Sequence, residues 1–317
     1  MRHRRRTSAQ DGGLLILLGV FVLGLILTVT GLWSPTRLAR GPMPTAMVAN
    51  GDLPPAIMPI KDVETRDAQL MMAALDRIGF DLDAVAKGYI SVPRLLVSSL
   101  PPDLERLDAL DSRKTLFLRL MLPMVLAVNE QIGRDRQRLL EIKANLVNNI
   151  QLAALDVQWV LGIADLYDQP DADVDALLRK VDVIPPSVAL AQAIVESGWG
   201  TSRIARTQNS LFGQFGQAAS GDWDYRSFDN LHEGVTSYMR NLNTHRAYRE
   251  FREARSKMRR LEGEIDGWEL AAALHRYSER GDDYVRDLHS IMRDNELESF
   301  DYVRLNTHLV AAIVASN

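Results

Sequence analysis

The stretch VIPPSVALAQAIVESGWGTS, residues 183–202, continued by RIARTQNSLFGQFG, residues 203–216, decides how the rest of this chain is read. Pro185 and Pro186 suit the start of a helix, where a missing backbone N–H costs nothing. Every residue from 188 to 195 except Gln192 is apolar, so the helix they predict is buried on most sides. Ser197 and Gly198 then supply a stop, because glycine accepts the left-handed conformation that ends many helices. Glu196 falls in the last turn. The partial negative charge of a helix C-terminus and an apolar surround both disfavour an ionised carboxylate, and both raise its pKa. A carboxylic acid that keeps its proton near neutral pH is what glycosidic bond cleavage asks of a general acid. The other reading is an ion pair with Arg203 or Arg206 that only holds the fold. Spacing alone leaves both open.

The motif carries more. Ala191-Gln192-Ala193, the run Glu196-Ser197-Gly198-Trp199-Gly200-Thr201-Ser202 and the segment Asn209-x-Leu211-Phe212-Gly213 together resemble the glucosaminidase family that cuts peptidoglycan. The likeness is closer to its Bax-type branch and runs over about 92–297. It implies a mainly α fold, a lysozyme-like helical catalytic domain with a short β-hairpin, and Glu196 as the catalytic acid. It also implies a substrate groove shaped by Gln192, Ser197, Trp199, Asn209, Phe212 and Gly213. Tyr277 matches a family tyrosine that lines the active site and helps position the N-acetyl sugar, with Tyr284 in a structural part. Relatives carry an assisting acid on a longer hairpin. Here that position falls at Ala219, and Asp222 and Asp224 are the substitutes within reach.

Outward from the motif, residues 2–6 read RHRRR and residues 12–33 carry no charge. About 20 apolar residues span a bilayer as a helix, and Trp33 sits where an interfacial aromatic belongs. The reading is a cytoplasmic tail at 1–12 and an uncleaved transmembrane helix at 13–33. The arginines stay cytoplasmic, and the rest of the chain lies in the periplasm of a bacterial inner membrane. A cleaved signal peptide, with its shorter apolar core and small-residue cleavage site, is the rival. Six prolines within 34–62 read as an extended linker.

Residues 63–180 read as a helical region, 181–300 as the catalytic domain and 301–317 as a tail. Within the first region, helical spacing runs over 63–80. Asp103 is placed to cap the helix that follows, Pro123 to kink or break it, and 125–149 to form another. In 129–132 a catalytic role for Glu130 competes with a helix surface or a paired carboxylate. Trp223, Tyr225 and Phe228 alternate with polar residues as in a hairpin, and read either as platforms for sugar rings or as the hairpin's own core. Residues 231–260 continue as one helix. Its arginines read as a solvated face or as contacts for peptide-stem carboxylates.

Composition bounds the alternatives. With 46% apolar and 25% charged residues the chain builds a core, and a net charge of −4 does not mark a nucleic-acid binder. There is no cysteine, which removes disulfides and thiolate metal sites. The six histidines form no His-Glu-x-x-His pair, and neither a metal nor a cofactor is expected. The expected partner is the peptidoglycan glycan strand. The expected activity is hydrolysis after N-acetylglucosamine, as an endo-beta-N-acetylglucosaminidase. The alternatives are lytic transglycosylase-like cleavage and an inactive wall-binding module.

Overall fold

The computed structural model describes residues 67–95, 97–107, 109–217 and 223–307. The expected tail at 1–12, membrane helix at 13–33 and linker at 34–62 lie outside these residues, as do Ala219 and Asp222. Aspartates start the early helices. Asp67 accepts the N–H groups of Gln69 and Leu70 at the head of α1 (Ala68–Arg77), and Asp81 accepts that of Ala84 at α2 (Leu82–Ala86). Asp103 departs from its expected role. Its carboxylate accepts the Ala68 N–H at 3.0 Å, so it ties back to α1 rather than capping the next helix.

That next helix, α3 (Leu110–Val147), runs 38 residues straight through Pro123. A helix-interior proline costs roughly 3 kcal/mol through its missing N–H and its clash with the preceding turn. Here every residue from 116 to 129 is buried, and each large apolar side chain removed from water contributes about 1.5–3 kcal/mol. Packing therefore outweighs the local penalty. Among the described residues this is the one helix long and apolar enough to cross a membrane, and its apolar stretch is 83% buried inside the protein. It is a core helix of the fold.

Two shorter helices follow, α4 (Ala154–Leu166) and α5 (Val174–Lys180), the latter capped by Asp173. Then comes α6 (Pro186–Ser197), in which every residue from 186 to 194 is buried. Asn129 of α3 fixes its approach, donating to the Ile184 carbonyl at 2.6 Å and accepting the Ile184 N–H at 3.0 Å. Pro185 has no side chain that can cap α6. Asp301 does this instead from far along the chain, accepting the Ser187 N–H and hydroxyl, each at 2.7 Å. Gly267 stands beside that pair, and any Cβ there would collide with both partners.

Beyond α7 (Arg203–Gln208) the chain forms an antiparallel pair, β1 (Phe215–Gln217) with β2 (Trp223–Tyr225), in the register Phe215 to Tyr225 and Gln217 to Trp223. The single helix expected over 231–260 is two, α8 (Leu231–Thr244) and α9 (Arg249–Leu261). His245 leaves helical geometry between them, and buried Arg252 bonds the freed carbonyls of Leu242 and His245, each at 2.9 Å. Helices α10 (Gly267–Ala271) and α11 (Asp282–Asp294) complete the layer around α6, together with a 3₁₀ turn at Leu297–Phe300. Residues 301–307 return to the start of the described chain, where Val92 exchanges backbone hydrogen bonds with Arg304 and Asn306. The protein is thus mainly helical, and the regions 63–180 and 181–300 share one core across their described residues.

Candidate active site

The site forms where α6 ends. Gly198, Trp199 and Gly200 take φ values of 58°, 59° and 74°, three successive left-handed residues that turn the chain sharply away from the helix. Only glycine enters that region without strain. Gly200 is needed for space as well, since a Cβ there would lie 2.5 Å from Leu100 and 3.0 Å from Phe117. Ser197 is buried and staples the turn, donating to the Ala193 carbonyl and accepting the Gly200 N–H. The Trp199 ring packs edge-on against Phe117 of α3, with the Lys114 ammonium 5.2 Å above it.

The turn leaves the Glu196 side chain at the mouth of a wall of aromatics. Gly213 lies against it, and a Cβ at that position would stand 2.8 Å from Oε2. Gly213 is also left-handed, at φ 61°, so two independent requirements select glycine. The Tyr284 hydroxyl of α11 stands beside the carboxyl. Tyr277 donates to the Phe212 carbonyl at 2.8 Å, and its ring stacks on Tyr284 with centroids 5.5 Å apart. Phe212 is buried and stacks on Tyr238 at 3.8 Å. Tyr248 adds a further ring 5.7 Å from Tyr277. Gln192 is wholly buried behind these rings, and Asn209 caps α7 in a left-handed conformation with its amide donating to the Phe228 carbonyl at 3.0 Å.

Burial pushes the Glu196 carboxyl above the ordinary carboxylate range. The neighbouring Tyr284 hydroxyl and the Arg280 charge pull the other way and offset this only in part. The ion pair weighed for Glu196 is absent among the described residues: Arg206 pairs with Glu105 at 3.0 Å. Tyr284 and Arg280 are the residues that sequence reasoning left out of the site. One signal was available, a tyrosine in the otherwise acidic first turn of α11, since a lone aromatic there must face inward.

Asp224 is exposed on β2, and its carboxylate accepts the N–H of the next residue, Tyr225, at 2.7 Å. Phe215 and Tyr225 pack across the hairpin at 4.2 Å, while Trp223 remains 73% exposed. Glu130 is a paired carboxylate, held by Arg94 at 2.7 and 3.0 Å. A cleft of about 800 Å³ opens at the other end of α6, beside Pro185, Asp301 and Arg304, some 15 Å of helix away from Glu196 at about 1.5 Å per residue.

Comparison with known proteins places this arrangement. A family model described as Glucosaminidase, mannosyl-glycoprotein endo-beta-N-acetylglucosaminidase, matches residues 172–297. The protein Bax of Escherichia coli strain K12 is 31% identical over 211 residues, covering 63% of this chain and 76% of that protein. The chain belongs to the glucosaminidase family of glycoside hydrolases, and within it to the Bax-like proteins. Among solved structures, the catalytic domain of the autolysin Auto from Listeria monocytogenes aligns over 51% of this chain and 96% of its own at 17% identity. Its TM-score of 0.28 is too low to bear on the fold.

Proposed function

We propose that this protein is a peptidoglycan hydrolase that cuts the glycosidic bond after N-acetylglucosamine, with Glu196 as general acid on a lysozyme-like domain. The observation that carries the reading is the setting of Glu196: a half-buried carboxyl with no cation paired to it among the described residues, which burial pushes above the ordinary carboxylate range. It gives its proton to the leaving oxygen as the bond breaks. The positive charge that develops at the sugar is met by the substrate's own acetamido group or by water, a route that needs no protein nucleophile. The engagement of Asp224 with its own strand favours that route over a two-carboxylate one. Trp223, exposed on the hairpin, offers a stacking face for a sugar ring. Gln192, Ser197 and Phe212 act from behind the groove surface, as their burial requires. The uncharged run at 13–33 anchors the chain in the inner membrane, with 34–62 as tether and the catalytic domain in the periplasm.

The test is mass spectrometry of purified peptidoglycan digested with the full chain in detergent, beside its Glu196→Gln variant. New reducing N-acetylglucosamine ends, lost in the variant, are expected. Anhydro ends would move the protein to the lytic transglycosylases. Glycan binding without cleavage by the folded protein would leave a wall-binding module.

A further inference from the structure

The pair β1–β2 starts just after Gly213, the residue packed against Glu196 Oε2. Phe215 lies within about 7 Å of it along the chain. Alternation fixes the two faces of this ribbon. Phe215 stands opposite Tyr225, and Trp223 comes two residues before Tyr225, so the three aromatic residues belong to one face. Gly216 and Asp224 belong to the other. That second face is already in use. The Arg226 side chain lies over Gly216, where a Cβ would stand 3.1 Å from it. Arg226 and Gln214 both donate to the Ser237 hydroxyl of α8, at 3.1 and 3.2 Å, and so tie the ribbon to the helical body.

The aromatic face has no comparable cover: Trp223 is 73% exposed, Phe215 54% and Tyr225 37%. Phe215 and Tyr225, with centroids 4.2 Å apart, make the kind of cross-strand contact that steadies a ribbon. That contact gives two of the rings a structural reason. It gives none to Trp223, which forgoes most of the burial an indole ordinarily gains. None of the three residues carries a charge at neutral pH. A flat, uncharged aromatic surface suits a neutral sugar ring with an apolar face and hydroxyls at its rim. A charged peptide would be met by ions of opposite sign.

We infer that this face is a platform for the glycan strand, with Trp223 stacking on one sugar and the Phe215–Tyr225 pair on a neighbouring one, so that the protein favours long glycan over short fragments. Two residues of β2, about 7 Å, separate the two stacking positions. The inference rests on the function proposed above and extends it to a preference for strand length.

Binding is measured with the full chain in detergent carrying Glu196→Gln, so that cleavage does not consume the probe. The probes are peptide-free glycan strands of many disaccharides, a fragment of two disaccharides, and free stem peptide. Long strands should bind more tightly than the fragment. Trp223→Ala should weaken them about tenfold, equivalent to about 1.4 kcal/mol, and remove most of the advantage of length. Trp223→Phe keeps a flat ring and should recover most of the affinity, whereas Trp223→Leu keeps only apolar bulk and should not. With Glu196 restored, KM for long strands should rise in the same proportion in Trp223→Ala, as when binding shared by ground and transition states is lost.

Unchanged strand binding in Trp223→Ala overturns the inference. So does equal binding of strands and fragment, no strand binding by the parent, or stem peptide that displaces the strands. A tryptophan needed only to hold the ribbon would show as a lower Tm and as equal rescue by leucine and phenylalanine. If Trp223→Ala does not fold, the phenylalanine and leucine variants decide by the same comparison. Strands that bind through Trp223 yet are not cut by the wild-type chain would refute the hydrolase reading and leave the platform standing.

Discussion

Asp182 and Glu196 stand at the two ends of the same buried helix, one just before it and one in its last turn, and meet opposite fates. Asp182, before α6, is only 2% exposed and faces three guanidiniums: Arg259 at 2.8 Å, Arg136 at 3.4 Å and Arg255 at 4.0 Å. Burial opposes its ionisation, but Arg255, Arg259 and Arg136 together outweigh burial and hold the carboxyl below its ordinary range. Glu196, in the last turn of α6, meets Tyr284 and, among the described residues, one arginine, Arg280, that is itself paired with Asp287. Burial wins there. Desolvation alone therefore does not separate a structural carboxylate from a candidate acid. What separates them is whether the donors in reach carry charge. A tyrosine hydroxyl satisfies a carboxyl oxygen without supplying a cation, so the proton stays.

The contrast can be broken most severely at Glu196. Glu196→Gln should remove glycan cleavage by at least ~100-fold, read as muropeptide release, while Tm at neutral pH stays level or rises because an unfavourable buried ionisation is gone. The matching change at the other end should spare chemistry and damage stability. Asp182→Ala strands buried guanidinium groups, and breaking a buried pair in this way costs about 3–5 kcal/mol. Urea unfolding should show that loss. A variant as stable as wild type would mean that Arg255, already bonded to the carbonyls of Asp182, Val183, Arg179 and Lys180, needs no anion.

The two carboxyls also predict opposite pH slopes. Asp182 has a folded pKa below its unfolded value, so its stabilisation is present above the unfolded pKa and is lost as pH falls through the folded one. Glu196 has a folded pKa above its unfolded value. Its neutral form is favoured, and the contribution is lost as pH rises through the folded pKa. Unfolding free energy of Glu196→Gln should therefore diverge upward from wild type on the alkaline side.

Smaller changes sharpen the comparison. Gly213→Ala places a methyl against Glu196 Oε2 and forces alanine into a left-handed conformation, which costs roughly 1–2 kcal/mol. Activity should fall more than the Tm shift explains, and equal losses would make Gly213 a backbone requirement only. Arg280→Gln is the mildest. It removes the one cation that, among the described residues, acts on Glu196, so the alkaline limb of kcat should move upward with little change in stability.

Much of the fold was legible along the chain because its causes are local. The apolar run 188–195 marks a buried helix, the glycine after it marks its end, and helical spacing marks the segment that holds α1. The misreadings share a cause. Asp103 bonds across to Ala68, Pro123 is overridden by packing on all sides, and the break at His245 is held by Arg252. Each depends on a partner that proximity in sequence does not reveal. The same holds in the site, where Glu196, Gly213 and Tyr277 stood out by motif, while Tyr284 and Arg280 did not.

By itself the sequence determined the helix that ends in Glu196, the glycine-rich turn after it and the family these define, because helix patterning and left-handed glycines are properties of short segments. Only the tertiary structure decided what Glu196 would be. Burial raises its pKa, Tyr284 of α11 and Arg280 offset this in part, and other arginines gather instead around Asp182; electrostatic environment is set by distance in space, over which the order of residues has no direct say.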